Sequence, residues 1–201
     1  MNSNIDLNDL KQGTYRVAEQ DGFIELMLGV ILVGTSFFLF NVAFLPFYIL
    51  PIIFQKQISE WFRNKFTYPR IGKAEFKLEK PKETIRGIFT FVFVTFILIG
   101  AALFLLGDIS NTDSWYRWMT LFFGTALVGA MTYTYSLSGD VKHRVYAVLA
   151  FISGIIFFLM EFDSGKTNIT TYLFAIGIFF FLTGLTTFYT FLQKHPVKKE
   201  N

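Results

Sequence analysis

Polar positions fall along this chain as short punctuation between long apolar blocks, and helix-length runs, not period-2 alternation, dominate the pattern. A membrane span needs about 20 predominantly apolar residues to cross a hydrocarbon layer of about 30 Å. Residues 87–106, 118–137, 145–160 and 169–192 meet that description with no charged residue inside, the third being the shortest. Short turns with Gly, Asp or Ser separate them: Gly107 and Asp108 onward to Ser114, Ser138-Gly139-Asp140, and Asp163-Ser164-Gly165. Such short connections predict antiparallel neighbours.

An earlier apolar region, residues 23–54, holds one charge, Glu25. As a single helix its 32 residues would extend about 48 Å, too long for one crossing. Pro46 and Pro51 also oppose a continuous helix, since each lacks an N–H and its ring clashes with the preceding turn. The preferred reading is a hairpin of two short helices meeting near Asn41. The predicted fold is therefore all-α: a polytopic transmembrane bundle of about six helices, the first two short and paired. Its segments are an N-terminal stretch 1–22, the hairpin 23–54, a basic loop 55–86, a four-helix bundle 87–193 and a basic tail 194–201.

Composition excludes an ordinary water-soluble domain. The 201 residues are 53% hydrophobic and only 16% charged, with 27 Phe, and mean hydropathy is +0.46; soluble domains are about a quarter charged. The absence of cysteine removes disulfides, Cys-type zinc sites, thiol nucleophiles and iron–sulfur clusters. Walker, dinucleotide and zinc-protease signatures are missing as well. No catalytic centre, cofactor or metal site is predicted. His143 and His195 read as interfacial polar residues, and Ser153 has no histidine within a span to activate it.

Charge supplies orientation. Nine basic residues from Lys56 to Arg86 outweigh four glutamates, and Lys11, Arg16, Lys142, Arg144, Lys194, Lys198 and Lys199 lie on the same side if residues 23–54 cross twice. Only Arg117 and Lys166 remain outside, so the positive-inside rule favours six crossings, with both termini cytoplasmic, in a cell inner or plasma membrane. A single crossing of that region would move Lys11 and Arg16 outside. The first 22 residues have an acidic lead unlike a cleavable signal peptide; residues 6–19 are expected to form a short amphipathic helix or an interfacial tether. A basic block between spans is better explained by cytoplasmic retention than by nucleic-acid binding.

The basic loop is the most distinctive stretch. Trp61, Arg63, Lys65, Tyr68, Pro69, Arg70 and Lys73 are candidate contacts for membrane lipid or a protein partner, with Arg70 able to fork onto a phosphate or carboxylate. Pro69 is expected to hold Tyr68 extended, and residues 73–80 alternate like a short strand. Tyr68-Pro69-Arg70-Ile71-Gly72 resembles a motif in a family of uncharacterised bacterial integral-membrane proteins, over roughly residues 19–75; this chain continues with Lys73 and Ala74 where that motif has an aromatic residue and a valine. The resemblance implies no function.

Within the apolar blocks, Glu25 is the candidate intramembrane polar site. It is expected in a helix's first turn, complementing the positive dipole end and reaching water, with proton or cation handling as the sharper alternative. Thr125 and Gly129, and Ala150 and Gly154, are candidate packing residues within the bundle or at a homo-oligomer face. Gly129–Tyr133 and Gly184–Phe188 share a pattern that raises an internal duplication of the last two hairpins. The functional expectation is a non-enzymatic scaffold or helper whose basic loop meets anionic lipid or a partner; the alternative is a small-molecule transporter or channel subunit working as an oligomer.

Overall fold

The computed structural model describes residues 20–72, 81–106 and 110–196. Every regular element among them is helical: α1 (Phe23–Phe40), a 3-10 turn (Val42–Phe44), α2 (Leu45–Ile53), α3 (Gln55–Phe62), a π-type turn (Arg63–Thr67), α4 (Tyr68–Ile71), α5 (Pro81–Leu106), α6 (Thr112–Ser138), α7 (Lys142–Leu159) and α8 (Gly165–Lys194). The expected N-terminal amphipathic helix or tether and the strand-like residues 73–80 lie outside the described residues.

Helix α1 stops at Asn41, whose extended backbone and side-chain oxygen, accepting from the Ala43 N–H at 2.9 Å, turn the chain back. Pro46 opens α2, where its missing N–H has no helical partner to lose. Pro51 sits inside α2, so the Phe47 carbonyl one turn earlier loses its helical donor. Gly34 of α1 backs onto that carbonyl; a Cβ at Gly34 would stand 2.7 Å from the oxygen. The hairpin is therefore closed by backbone against backbone. Past Phe54 the chain bends by 59° and stays helical to Ile71. This corrects the expectation of a loop from residue 55: Ile58, Trp61 and Phe62 recur at helical spacing among Lys56, Gln57, Ser59 and Glu60.

Helices α1 and α8 run antiparallel at very short range. Gly29 abuts the Phe181 backbone and the Gly177 carbonyl, while Gly184 meets Leu26 and Gly177 meets Val33. Ser36 reaches across to donate to the Thr170 carbonyl at 2.9 Å. On the other side of α8, α6 and α7 cross where Gly124 faces Gly154 and Ala150, and the Tyr172 hydroxyl donates to the Ala150 carbonyl at 3.3 Å. The core between α1, α6, α7 and α8 is Leu32, Leu127, Met131, Ala147, Ala150, Ile169, Tyr172, Leu173, Ile176 and Phe180.

The outer surface is apolar. Phe40, Phe47, Ile53, Phe93, Leu98, Phe104, Val148 and Leu159 all face outward, which a helix bundle tolerates in lipid but avoids in water. Helices α1, α7 and α8 are each long and apolar enough to cross a membrane, and the bent pair Val42–Ile53 and Gln55–Ile71 would count as a fourth such span. Helix α6 falls outside that set, although it has 27 residues. Its composition is rich in hydroxyls, and several donate back to their own helix: Thr125 to Leu121 at 2.8 Å, Thr134 to Ala130 at 3.0 Å and Ser138 to Thr134 at 2.9 Å.

The last two hairpins do not pack alike. Gly129 of α6 meets the Phe91 ring of α5, whereas the matching Gly184 of α8 meets α1. The shared Gly-x-x-Thr pattern therefore serves two different environments, and the duplication finds no counterpart in how these helices pack.

Substitution of Gly29 by Ala is expected to destabilise the detergent-solubilised protein by about 1–3 kcal/mol, the usual range for overpacking, because the new Cβ would meet backbone atoms that cannot step aside. Gly100→Ala, with nothing within 4 Å of its would-be Cβ, is the matched control and should leave the melting temperature unchanged or raise it.

Candidate functional site

Two carboxylates one helical turn apart mark the start of α1. Gly22 takes a left-handed conformation (φ 69°) that an L side chain would resist, and its lack of a Cβ lets the chain pass against the Gly184 carbonyl. Asp21 and Glu25 are thereby driven inside, with exposures of 0% and 1%. Buried charges require partners, and these come from two separate parts of the chain.

Asp21 is held by the segment after the bent helix. Its Oδ1 accepts from the Phe23 N–H at 3.0 Å, capping α1, and its Oδ2 accepts from the buried Thr67 hydroxyl at 2.9 Å. The Arg63 Nε lies 3.8 Å from the same oxygen. Phe62 seals this corner with ring contacts to Phe23 at 4.9 Å and Phe188 at 5.0 Å. Burial is the largest influence on the Asp21 carboxyl and pushes it above the ordinary value of 3.8, against the opposing pull of the Phe23 N–H, Arg63 and Thr67.

Glu25 is held by α7. Its Oε1 lies 2.8 Å from the Lys142 Nζ, and Asp140 Oδ2 is 3.9 Å from the same ammonium. Asp140 also caps α7, its Oδ1 accepting from the Lys142 N–H at 3.0 Å. A lysine at a helix N-terminus opposes the dipole; these two carboxylates offset that. His143 is buried beside the pair, edge-on to Tyr146 with ring centroids 6.1 Å apart. The expectation that Glu25 reaches water from an exposed first turn is thus corrected: it does sit in the first turn, but the close approach of α8 encloses it and Lys142 neutralises it. His143, in the first turn of α7, is likewise buried within the protein.

A polar cleft of about 330 Å3 opens beside this pair, between the α6–α7 turn and the last turns of α8; Gln20, Asp140, Lys142 and Lys194 are among its walls. Residues 20 and 195 line the same cleft, so the described chain begins and ends at one end of the bundle.

The other candidates from the sequence are dispersed. Trp61 is 57% exposed on α3, and the Lys65 ammonium lies over it and over Phe66, at 5.1 and 5.4 Å from the ring centroids. Arg63 turns inward to Asp21. Arg70 donates from Nη1 to the Phe66 carbonyl at 2.6 Å, so one arm of the expected fork is occupied by its own chain. Tyr68 is helical (φ −63°, ψ −35°), not extended; it opens α4 directly after the π-type turn, and Pro69 follows in the first turn of α4, where no helical N–H is needed. Gly72 ends α4 at φ 82°, and Lys73 lies outside the described residues. Ala150 and Gly154 sit at the α6–α7 crossing with Gly124, a residue that spacing along the sequence does not single out; Gly129 instead meets the Phe91 ring of α5, and the Thr125 hydroxyl donates to the Leu121 carbonyl of its own helix.

At the opposite end, Asn168 accepts from the Thr120 hydroxyl at 2.8 Å and donates to the Phe157 carbonyl at 2.5 Å, tying α6, α7 and α8 together. No family model, curated protein or solved structure matches this chain.

Breaking the inner pair should be costly. Glu25→Gln is expected to lower stability by about 3 kcal/mol, the low end for orphaning a buried ion, because Lys142 keeps some exposure and Asp140 stays near. Adding Lys142→Gln should recover much of that loss; thermal melts of the two single variants and the double variant in detergent give the coupling.

Asp21 yields a pH test. A carboxyl whose folded pKa exceeds its unfolded one adds stability that is present below about pH 3.8 and is lost as pH rises through the folded value. The melting temperature of Asp21→Asn minus that of the natural chain should therefore increase with pH across the acidic range above 3.8, and a flat difference would contradict the raised pKa.

Proposed function

We propose that this chain is a non-enzymatic integral membrane protein, a helper or scaffold that crosses six times with both termini cytoplasmic and rests its basic end on anionic lipid headgroups. The observation that carries the reading is the bent arm. After the 59° turn at Phe54 the chain leaves the direction of α2, and Lys65 stacks on exposed Trp61 and on Phe66. Aromatic rings with cations beside them settle at the headgroup level, where each basic residue adds about 1 kcal/mol on an anionic leaflet.

Two further features support it. The arm ends against Asp21 and Phe188, at the same end of the bundle as Lys142, Arg144 and Lys194, which is the arrangement the positive-inside rule asks of a cytoplasmic face. The middle of the bundle is filled by Leu173, Ile176 and Phe180, a dry core that suits a scaffold better than a carrier with a midplane substrate site.

The test uses the full chain, purified in neutral detergent and exchanged into nanodiscs of defined lipid, with bound lipid counted by native mass spectrometry. Lys56→Gln with Lys65→Gln is expected to weaken anionic phospholipid binding roughly 30-fold, two increments of about 1 kcal/mol each, while neutral lipid is unaffected. Equal retention of anionic lipid by the natural chain and the double variant would reject the reading. Because the chain has no cysteine, Val141→Cys and Asn111→Cys test the topology separately, with impermeant reagent expected to reach only Asn111→Cys from outside intact cells.

A further inference from the structure

The polar cleft at the end of α8 has a chemical asymmetry that the bent arm does not share. Towards the bundle it is lined by Asp140, Lys142 and the exposed Thr186 and Thr190, and further along α8 by Lys194 and His195. Lys142 is committed to Glu25 at 2.8 Å. Asp140 uses Oδ1 to cap α7, and its Oδ2, 3.9 Å from the ammonium, is too far for a hydrogen bond. The carboxylate thus keeps acceptor capacity toward the cleft, with its side chain 30% exposed.

The threonines add to this. Thr190 donates its hydroxyl proton to the Thr186 carbonyl at 2.8 Å, and Thr186 donates to the Thr183 carbonyl at 2.8 Å. With both protons committed to α8, these hydroxyls present only lone pairs to a ligand. Counting Asp140 and the adjacent Glu25 against Lys142, the part nearer the bundle carries one net negative charge and is rich in acceptors. The end of α8 is the reverse: Lys194 is an exposed cation with three donors, and His195 stands beside it with its ring 5.0 Å from Phe191.

A ligand that satisfies both parts needs several N–H donors and a positive charge at one end and an anion at the other. We propose that the cleft binds a phosphorylated primary amine, its ammonium on Asp140 and the Thr186 and Thr190 oxygens and its phosphate on Lys194 and His195. The same chemistry is offered by a phosphoethanolamine lipid headgroup and by a free phosphorylated amine in water. A quaternary ammonium has the charge but no N–H, so the acceptor-rich wall discriminates against it.

The experiment titrates the full chain in neutral detergent with phosphoethanolamine, phosphocholine and inorganic phosphate by calorimetry. In parallel, native mass spectrometry reads phosphatidylethanolamine occupancy in mixed nanodiscs. Saturable binding of phosphoethanolamine is expected, with phosphocholine weaker by about tenfold or more for want of charge-assisted N–H bonds. Asp140→Asn, which keeps the oxygen that caps α7, should weaken the phosphorylated amine by a similar factor, and Lys194→Gln should weaken both phosphoethanolamine and phosphate. Binding in solution that depends on Asp140 assigns a free ligand; Asp140-dependent occupancy seen only in nanodiscs assigns the lipid. Saturable binding of neither, or equal binding of phosphoethanolamine and phosphocholine, overturns the proposal. If Asp140→Asn does not fold, Thr190→Val carries the same test, and the comparison of the two amines on the natural chain decides without any variant.

Discussion

The close approach of α1 to α8 dictates where the buried charges of this molecule can sit and which distant segments must come to them. Gly22, Gly29, Gly177 and Gly184 remove the side chains that would otherwise hold the two backbones apart. In lipid, where no hydrophobic force drives helices together, such contact between backbones is a main source of association. Once α1 lies that near α8, its N-terminal turn has no route to water, and Asp21 and Glu25 must be satisfied within the protein. Each recruits a cation from an element far away in the chain, Arg63 from the bent arm and Lys142 from the start of α7. The glycine seam therefore sets the ion pairs, and the ion pairs set where the arm and α7 sit.

This order of causes explains why the basic end is the organised end. A helix bundle in lipid can slide and rotate with modest loss if its faces are uniformly apolar, as Phe- and Leu-rich faces are here. Two buried pairs, each holding a different neighbour to the same helical turn, leave one register in which both are satisfied. Buried ion pairs are weak sources of stability, because desolvation offsets attraction, but they discriminate strongly against arrangements that leave a charge unpaired. At the far end the same work falls to hydrogen bonds instead of ion pairs: Thr120 and Asn168 with the Phe157 carbonyl, the Gly165 N–H on Asp113, and Arg117 on the Phe158 carbonyl.

Much of the architecture is legible in the spacing of polar residues. The breaks at Asn41, at Ser138-Gly139-Asp140 and at Asp163-Ser164-Gly165 all separate helices, because each places a capping side chain or a left-handed glycine where an apolar run ends. The arm reads as a loop when judged by its charge, and the helical recurrence of Ile58, Trp61 and Phe62 is masked by the cations between them. Tyr68 is expected to be extended because proline normally disfavours a helical residue before it. The π-type turn that leads into Tyr68 is a property of the five residues before it in three dimensions, and no residue type announces it.

The site is harder to read for a different reason. Glu25 stands out at once as a carboxylate in an apolar run, but its environment depends on Lys142, separated from it by more than a hundred residues. Nothing local distinguishes a first-turn glutamate that reaches water from one sealed in by a neighbouring glycine face. The difference lies in Gly184, which meets Leu26 and the Glu25 backbone directly. A larger residue there would push α8 outward, admit water to the first turn and make the exposed reading of Glu25 correct. The chemistry available at this end of the bundle is thus decided by the side chain that Gly184 lacks as much as by the carboxylate itself.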